Sequence, residues 1–195
     1  VIECPSGLAR SLSGGSAPTS ESQQRQEHAD LTSDATREAV LSSATVTNII
    51  NVSDSTKFFR IRVDAPDFEF KPGQWVDIFI PELDTIGGFS LVSPPSDLPE
   101  VTLAIKYAEH PPAKWMHTTA TAGSVIHLRA GGDWYYDLAE DLDRLGLSGE
   151  RHLALIGGGI GVGPLYSMLH SILGTVGNGM PCVDAVSGVC LLICA

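Results

Sequence analysis

The sequence predicts a β domain followed by the beginning of an α/β domain, a β + α/β fold class. Six short, β-branched segments separated by glycine, proline and aspartate turns lie between residues 43 and 131. A continuous apolar run, a glycine-rich turn and an amphipathic helix follow between residues 152 and 173. The first pattern is typical of a six-stranded antiparallel β-barrel, and the second is typical of the start of a Rossmann-like domain.

The first 40 residues differ in composition from the rest of the chain. They contain few large apolar side chains and many serines, threonines and glutamines, so they cannot bury a core. Arg10 and the serines are consistent with the remnant of a transit peptide, whereas Glu3 and Glu21 argue against one. We therefore predict a disordered segment over 1–40, a barrel over 41–136, a polar linker over 137–150 and an incomplete nucleotide-binding domain over 151–195.

The six segments of the predicted barrel alternate as strands with one buried face do. In the second segment, for example, Phe59 and Ile61 share one face, while Arg60 and Arg62 share the other. A helical stripe that begins with a proline lies between the fifth and sixth segments. Because closure removes exposed strand edges, we expect a closed antiparallel barrel. The predicted strands are 44–50, 57–63, 75–80, 89–93, 101–107 and 124–129, with a helix over 112–120.

The second half opens on His152-Leu-Ala-Leu-Ile, the kind of apolar run that a strand buried on both faces has. Five glycines lie within the seven residues from Gly157 to Gly163, and a helical stripe runs from Pro164 to a C-terminal cap at Gly174. Glycine lets a ligand approach the backbone closely, and the start of a helix favours a phosphate. The strand, turn and helix predict a dinucleotide site, with a tight structural turn as the alternative.

Composition narrows the class of partner. The chain has 23 acidic and 12 basic residues and a formal charge of −11, which argues against nucleic acid. Its longest apolar stretch, Val183 to Ala195, is shorter than the ~20 residues of a membrane span. The cysteines and histidines lack the tight spacing of metal ligands, so we predict no metal site.

Four motifs occur in order along residues 43–173. They are Phe70-Lys-Pro-Gly-Gln-Trp-Val-Asp, Gly88-Phe-Ser-Leu-Val-Ser-Pro, Ala113-Lys-Trp-Met-His and Ile156-Gly-Gly-Gly-Ile-Gly-Val-Gly-Pro. Together they resemble a strand signature, the Arg-x-Tyr-Ser flavin motif, the flavin-phosphate helix and the nicotinamide-nucleotide turn of the ferredoxin–NADP reductase superfamily. The resemblance implies an FR-type barrel that binds FAD, an NAD(P)H site, and hydride transfer from NAD(P)H to FAD and then to an unknown electron acceptor.

The resemblance also implies roles for individual residues. It places Ser90, as the catalytic residue, near the reactive nitrogen of the flavin, with Phe89 packed near the ring. The other cofactor-binding residues that it implies are Leu91, Ser93, Lys106 and Tyr107 in the barrel and Gly158, Gly159, Ile160, Gly161, Val162, Gly163 and Pro164 in the turn. Among the latter, Gly158, Gly159, Gly161 and Gly163 would lie under the NAD pyrophosphate.

Three departures from the superfamily qualify this reading, and one of them is Ala113, which replaces a hydroxyl expected there. Gly87 stands where an arginine would pair with the flavin phosphate, so we expect weak flavin binding that Gly87→Arg would tighten. The chain from 151 to 195 is shorter than the ~100 residues of a typical domain, and Gly188 to Ala195 is either its second strand or an unrelated tail.

We expect a flavin-linked NAD(P)H oxidoreductase that is incomplete here. A non-catalytic barrel module and an inactive truncated product are the alternatives. The expected location is mitochondrial, and otherwise intracellular and soluble.

Overall fold

The computed structural model describes residues 28–137, 152–177 and 188–194. They form a six-stranded antiparallel sheet, followed by a helix and a parallel pair of strands, so the predicted β + α/β fold class is confirmed. The elements are α1 (His28–Leu31), β1 (Ser42–Asn51), β2 (Thr56–Val63), β3 (Trp75–Phe79), β4 (Gly87–Ser90), β5 (Glu100–Lys106), α2 (Pro111–Thr118), β6 (Val125–Gly131), β7 (His152–Gly158), α3 (Val162–Gly177) and β8 (Gly188–Cys194).

The six-stranded sheet has the order β4-β3-β6-β1-β2-β5, and each neighbouring pair is antiparallel. Its two end strands, β4 and β5, meet at one isolated bridge between Leu91 and Leu103. The Val92 amide, next in the chain, donates to the Thr102 carbonyl at 2.9 Å. The sheet therefore curls until its ends touch, and in the described residues no longer ladder closes it, because β4 is short and prolines follow at 94 and 95.

An apolar core fills the inside of the curled sheet. Alternate residues of its strands are fully buried, as the alternation in the sequence predicts. Helix α2 begins at two prolines, which need no hydrogen-bond partner there, and it contributes the buried Met116. The fully buried large side chains are Val46, Phe59, Ile61, Val76, Ile78, Ile80, Leu91, Leu103, Ile105, Met116, Ile126 and Leu128. Burial of each of these side chains stabilises the folded state by about 1.5–3 kcal/mol. The inner face of the sheet is therefore occupied by the core, and a binding site can form only on the outer face.

Residues 28–40, which we call the N-terminal strap, make contacts with the sheet, although they belong to the segment 1–40 that we predicted to be disordered. They lie on the outer face of β3, β4 and β6. Asp77, at 1% exposure, accepts a hydrogen bond from Arg37 Nε at 2.9 Å and from Arg129 Nη2 at 2.8 Å, and it lies 3.1 Å from His28 Nε2. Composition does not reveal this docking because the anchors are a few specific polar contacts. Residues 1–27 lie outside the described part.

The second unit is a parallel pair, β7 and β8, paired from His152 with Gly188 to Gly158 with Cys194. The segment 188–194 is thus the second strand and not an unrelated tail. Helix α3 packs on one face of the pair through Leu165 and Met168, against Leu155 of β7.

Helix α3 is longer at both ends than the sequence predicts. A 3₁₀ turn at Gly159–Gly161 leads into it at Val162, two residues before Pro164. It then continues through Gly174 to Gly177 instead of ending there. A glycine costs about 1 kcal/mol inside a helix, and the packed stripe that includes Ile172 offsets that cost.

No helix in the described ranges is both long and apolar enough to cross a membrane. The domain boundaries stay predictions, and linker residues 138–150 lie outside the described part.

Candidate functional site

A cleft of about 720 Å³ lies between the outer face of the curled sheet and the glycine turn that leads into α3. Its floor is formed by outward-facing residues of β2 and β5, including Phe58 and Ala104. The loop after β4 and the β1–β2 hairpin form two further sides, and the glycine turn with the first half of α3 forms the roof. Cofactor pockets have volumes of about 300–1,000 Å³, so this cleft is large enough to hold one.

Buried polar contacts hold α3 against the sheet and fix the width of the cleft. Ser167 of α3 is fully buried, and its hydroxyl donates to the Ser93 carbonyl at 2.8 Å. The Ser93 hydroxyl in turn accepts a hydrogen bond from the Thr102 amide of β5 at 2.9 Å. On the far side of α3, Met168 packs directly over Gly73, whose φ of +105° and lack of a side chain make room for it. The roof and the floor are therefore one connected structure.

Four glycines of the turn differ in the reason why a glycine occupies the position. A Cβ at Gly157 would lie 2.6 Å from Leu165, and one at Gly163 would lie 3.2 Å from Val92, so close packing accounts for both glycines. Gly159 has a φ of +53°, which favours glycine by itself. Gly161 has neither reason, since a Cβ there would meet no atom within 4 Å and its φ is not positive. The open backbone at Gly161, just before the N-terminus of α3, suits the close approach of an anionic ligand.

Neutral side chains surround Gly87, the position at which the resemblance led us to expect a flavin-phosphate arginine. Gly87 is buried, and a Cβ there would lie 2.7 Å from both the Phe89 ring and Pro112 of α2. A contact under 3.0 Å forces a displacement of the neighbouring atoms. An arginine at this position would have to displace these two side chains, and its effect on flavin binding stays a prediction.

The structure brings about half of the predicted site residues together. Those that line the cleft are Ser93, Lys106, Gly159, Ile160, Val162 and Gly163. Gly158, Gly161 and Pro164 lie in the same turn but are not part of the lining, and neither are Phe89, Ser90, Leu91 and Tyr107.

Four predicted barrel residues have other surroundings. Leu91 is fully buried opposite Leu103, so its side chain lies in the core, and its role in cofactor binding stays a prediction. Phe89 packs against the same core. Ser90 is half-buried and pairs with Trp75 on the side of the N-terminal strap. Tyr107 is exposed, and the hydrogen bond that its hydroxyl donates to Glu109 raises the pKa of the phenol.

The structure also adds residues that the sequence did not single out. Arg60 and Phe58 of β2 and Tyr166 and His170 of α3 line the cleft. Strand alternation put Arg60 on the outer face with Arg62, but it could not tell which of the two faces the glycine turn. Of the described lining residues, Asp97 alone is acidic, whereas Arg60 and Lys106 are cationic. In a chain of formal charge −11, this cleft is a locally positive surface.

No protein-family model matches the chain. The chain does match individual curated proteins. The chain is 43% identical over 151 residues to oxidoreductase NAD-binding domain-containing protein 1 of Danio rerio, a match that covers 76% of this chain and 54% of that protein. The protein of the same name in Homo sapiens is 39% identical over 153 residues, covering 77% of this chain and 47% of its own length. The chain thus spans about half the length of the curated relatives it matches.

Solved structures share the fold. The ferredoxin reductase in carbazole 1,9a-dioxygenase superposes with a TM-score of 0.61 at 17% identity, over 80% of this chain and 43% of that one. A ferredoxin NADP+ reductase from Neisseria gonorrhoeae, solved with bound FAD and NADP, gives a TM-score of 0.58 at 17% identity over 80% of this chain and 58% of that one.

Proposed function

Because the chain is a homologue of oxidoreductase NAD-binding domain-containing protein 1 and has the fold of ferredoxin–NADP reductase-like proteins, we propose that it is part of a flavin-linked NAD(P)H oxidoreductase. The proposed reaction moves a hydride from NAD(P)H to FAD, from which electrons pass to an acceptor that is not specified. The observation that carries the proposal is the cofactor-sized cleft between the sheet and a glycine turn that is open at Gly161.

The residues of this chain would bind and orient the cofactors. The open backbone of the turn and the N-terminal end of α3 would receive the NAD(P)H pyrophosphate. The apolar floor at Phe58 and Ala104, with Val92 beside it, offers a water-poor surface for a planar ring. A bound flavin supplies the hydride-accepting chemistry, and the protein supplies position and electrostatics. Ser90, Phe89 and Tyr107 keep their proposed roles only if cofactor binding extends beyond the cleft.

A glycine substitution tests the nucleotide site without disturbing the fold. Gly161→Val places a side chain in open space, so it should weaken NADH and NADPH binding by about tenfold or more while leaving the unfolding free energy within about 0.5 kcal/mol. The matched control is Gly174→Ala, which also meets no atom within 4 Å but lies later in α3. Titration followed by tryptophan fluorescence, with urea unfolding of each variant, gives both numbers. Equal nucleotide affinity in the wild type and Gly161→Val would refute the turn as the binding site.

A non-catalytic barrel module is the second candidate, favoured by the neutral packing of Phe89 and Pro112 around Gly87. Flavin absorbance separates the two. The enzyme predicts a visible flavin band in the purified protein or after FAD is added, whereas the module predicts a folded, colourless protein that binds neither FAD nor NADH. A form extended to the length of the relatives should then oxidise NADH with a dye acceptor faster than this chain does, because hydride transfer depends on tight positioning.

We further propose a mitochondrial location, which rests on the composition of the first 40 residues. A fluorescent fusion that keeps this segment, compared with one that begins at residue 41, tests it by co-localisation. Equal diffuse distributions would contradict it.

A further inference from the structure

Arg60 is a cationic residue of the cleft, and no neighbouring group that the structure describes accounts for its charge. It lies on β2 opposite Thr102 of β5, on the outer face of the curled sheet, and it lines the cleft. Within the described ranges, its guanidinium makes no hydrogen bond or ion pair, and neither does the ammonium of Lys106. Two cations without partners in one cleft of an acidic protein mark a surface that is complementary to an anion.

The spacing of these cations matches a ligand with a ring and a phosphate. Lys106 pairs with Thr56, and Arg60 pairs with Thr102, so the two cations lie four residues apart along the sheet, about 13 Å at ~3.3 Å per residue. Between them lies the pair Phe58 and Ala104, both half-buried, which presents an apolar surface. A planar ring can rest on that surface while a phosphate reaches a cation at one end.

The superfamily resemblance would assign phosphate binding to position 87, where neighbouring side chains leave no room for a long side chain. Gly87 carries no charge, and its surroundings are filled by Phe89 and Pro112. A guanidinium binds phosphate with two parallel hydrogen bonds, which makes arginine the side chain best suited to the role. We propose that Arg60 binds the phosphate of the ring-bearing cofactor in the cleft, in place of the arginine that is missing at position 87. This inference rests on the proposed function and deepens it.

Arg62 provides a matched control from the same strand. It lies two residues beyond Arg60 on the same face, but it pairs with Glu100 and is not part of the cleft lining. Glu100 also accepts a hydrogen bond from the Thr47 hydroxyl at 2.8 Å, so this end of the face already has a counter-charge. Arg60→Gln and Arg62→Gln remove the same charge from the same strand, but only Arg60 lines the cleft, and only Arg62 lies opposite a carboxylate.

The probes are FMN and riboflavin, which share one ring and differ by a phosphate, together with NADH. Arg60→Gln should weaken FMN binding by about tenfold or more and leave riboflavin binding unchanged, on the usual worth of a charged hydrogen bond. Arg62→Gln should change neither. Arg60→Lys should keep part of the FMN affinity, because it retains the charge but loses the two-pronged contact. Wild-type FMN binding should also weaken with salt more than that of Arg60→Gln.

The outcomes separate this inference from the proposed function. If Arg60→Gln weakens NADH in place of FMN, Arg60 does not replace the flavin-phosphate arginine, and the inference is overturned. If Arg60→Gln and Arg62→Gln behave alike, or if riboflavin weakens as much as FMN, the phosphate role is overturned. In that case the proposed function survives wherever Gly161→Val still weakens NADH. If the wild-type chain binds none of the three probes, both the inference and the proposed function fail. Urea unfolding of each variant ensures that only folded proteins are compared.

Discussion

Replacing Asp77 by asparagine should release the N-terminal strap from the sheet. The Asp77 carboxylate is buried at 1% exposure, and it holds Arg37 and His28 of the strap together with Arg129 of β6. Arg37 and His28 also pack on the Trp75 ring, at 5.2 Å and 4.6 Å from its centroid. Asparagine keeps the shape but removes the charge, so two guanidinium groups lose their counter-ion, which is a costly loss for partly buried groups.

The magnitude follows from the pKa of this carboxyl. Burial by itself raises the pKa, but the hydrogen bonds from His28, Arg129 and Arg37 outweigh it and lower the pKa from 3.8 to about 2. At about 1.36 kcal/mol per pH unit, this lowering corresponds to roughly 2 kcal/mol. Because the pKa is lower in the folded state, this stabilisation is fully present above about pH 4. It is lost as the pH falls from about 4 towards 2.

Two measurements check this prediction. Urea unfolding at pH 6 should show Asp77→Asn less stable than the wild type by about 2–4 kcal/mol, and the difference should shrink as the pH falls towards 2. Trypsin should cleave after Arg37 faster in the variant, since the strap is no longer held. Asp67→Asn, which removes an exposed carboxylate, is the control and should change neither result. Equal stability of Asp77→Asn and the wild type at pH 6, with unchanged cleavage, would refute the anchoring role.

Two further substitutions test how α3 is held over the cleft. Ser167→Ala should lower the unfolding free energy by about 1 kcal/mol and weaken NADH binding a few-fold, because the Ser93 carbonyl loses its buried donor; unchanged values in urea unfolding and titration would contradict this. Gly73→Ala should cost about 1–3 kcal/mol, because its φ of +105° disfavours alanine and the new methyl would collide with Met168; calorimetry that finds no loss would argue against this packing.

The sequence alone determined the elements and the class of the molecule. Strand alternation is a local property, because successive side chains point to opposite faces, so Phe59, Ile61 and their equivalents in the other strands could be assigned to the core. The glycine turn between His152 and Pro164 could be predicted in the same way, because a strand, a run of glycines and a helix each have a signal within a few residues. The helix bounds were less certain: Gly174 reads as a cap, but packing carries α3 beyond it.

Only the tertiary structure decided which residues share the cleft and which do not. The sequence could not show that Gly87 is closed by Pro112, that Leu91 belongs to the core, or that Arg60 and not Arg62 faces the glycine turn. It also concealed the strap, whose composition is that of a disordered segment although Arg37 meets Asp77. The physical reason is the same in each case. Alternation and composition report whether a residue is buried or exposed, whereas partners distant in sequence are set by sheet curvature and docking, which depend on the whole chain at once.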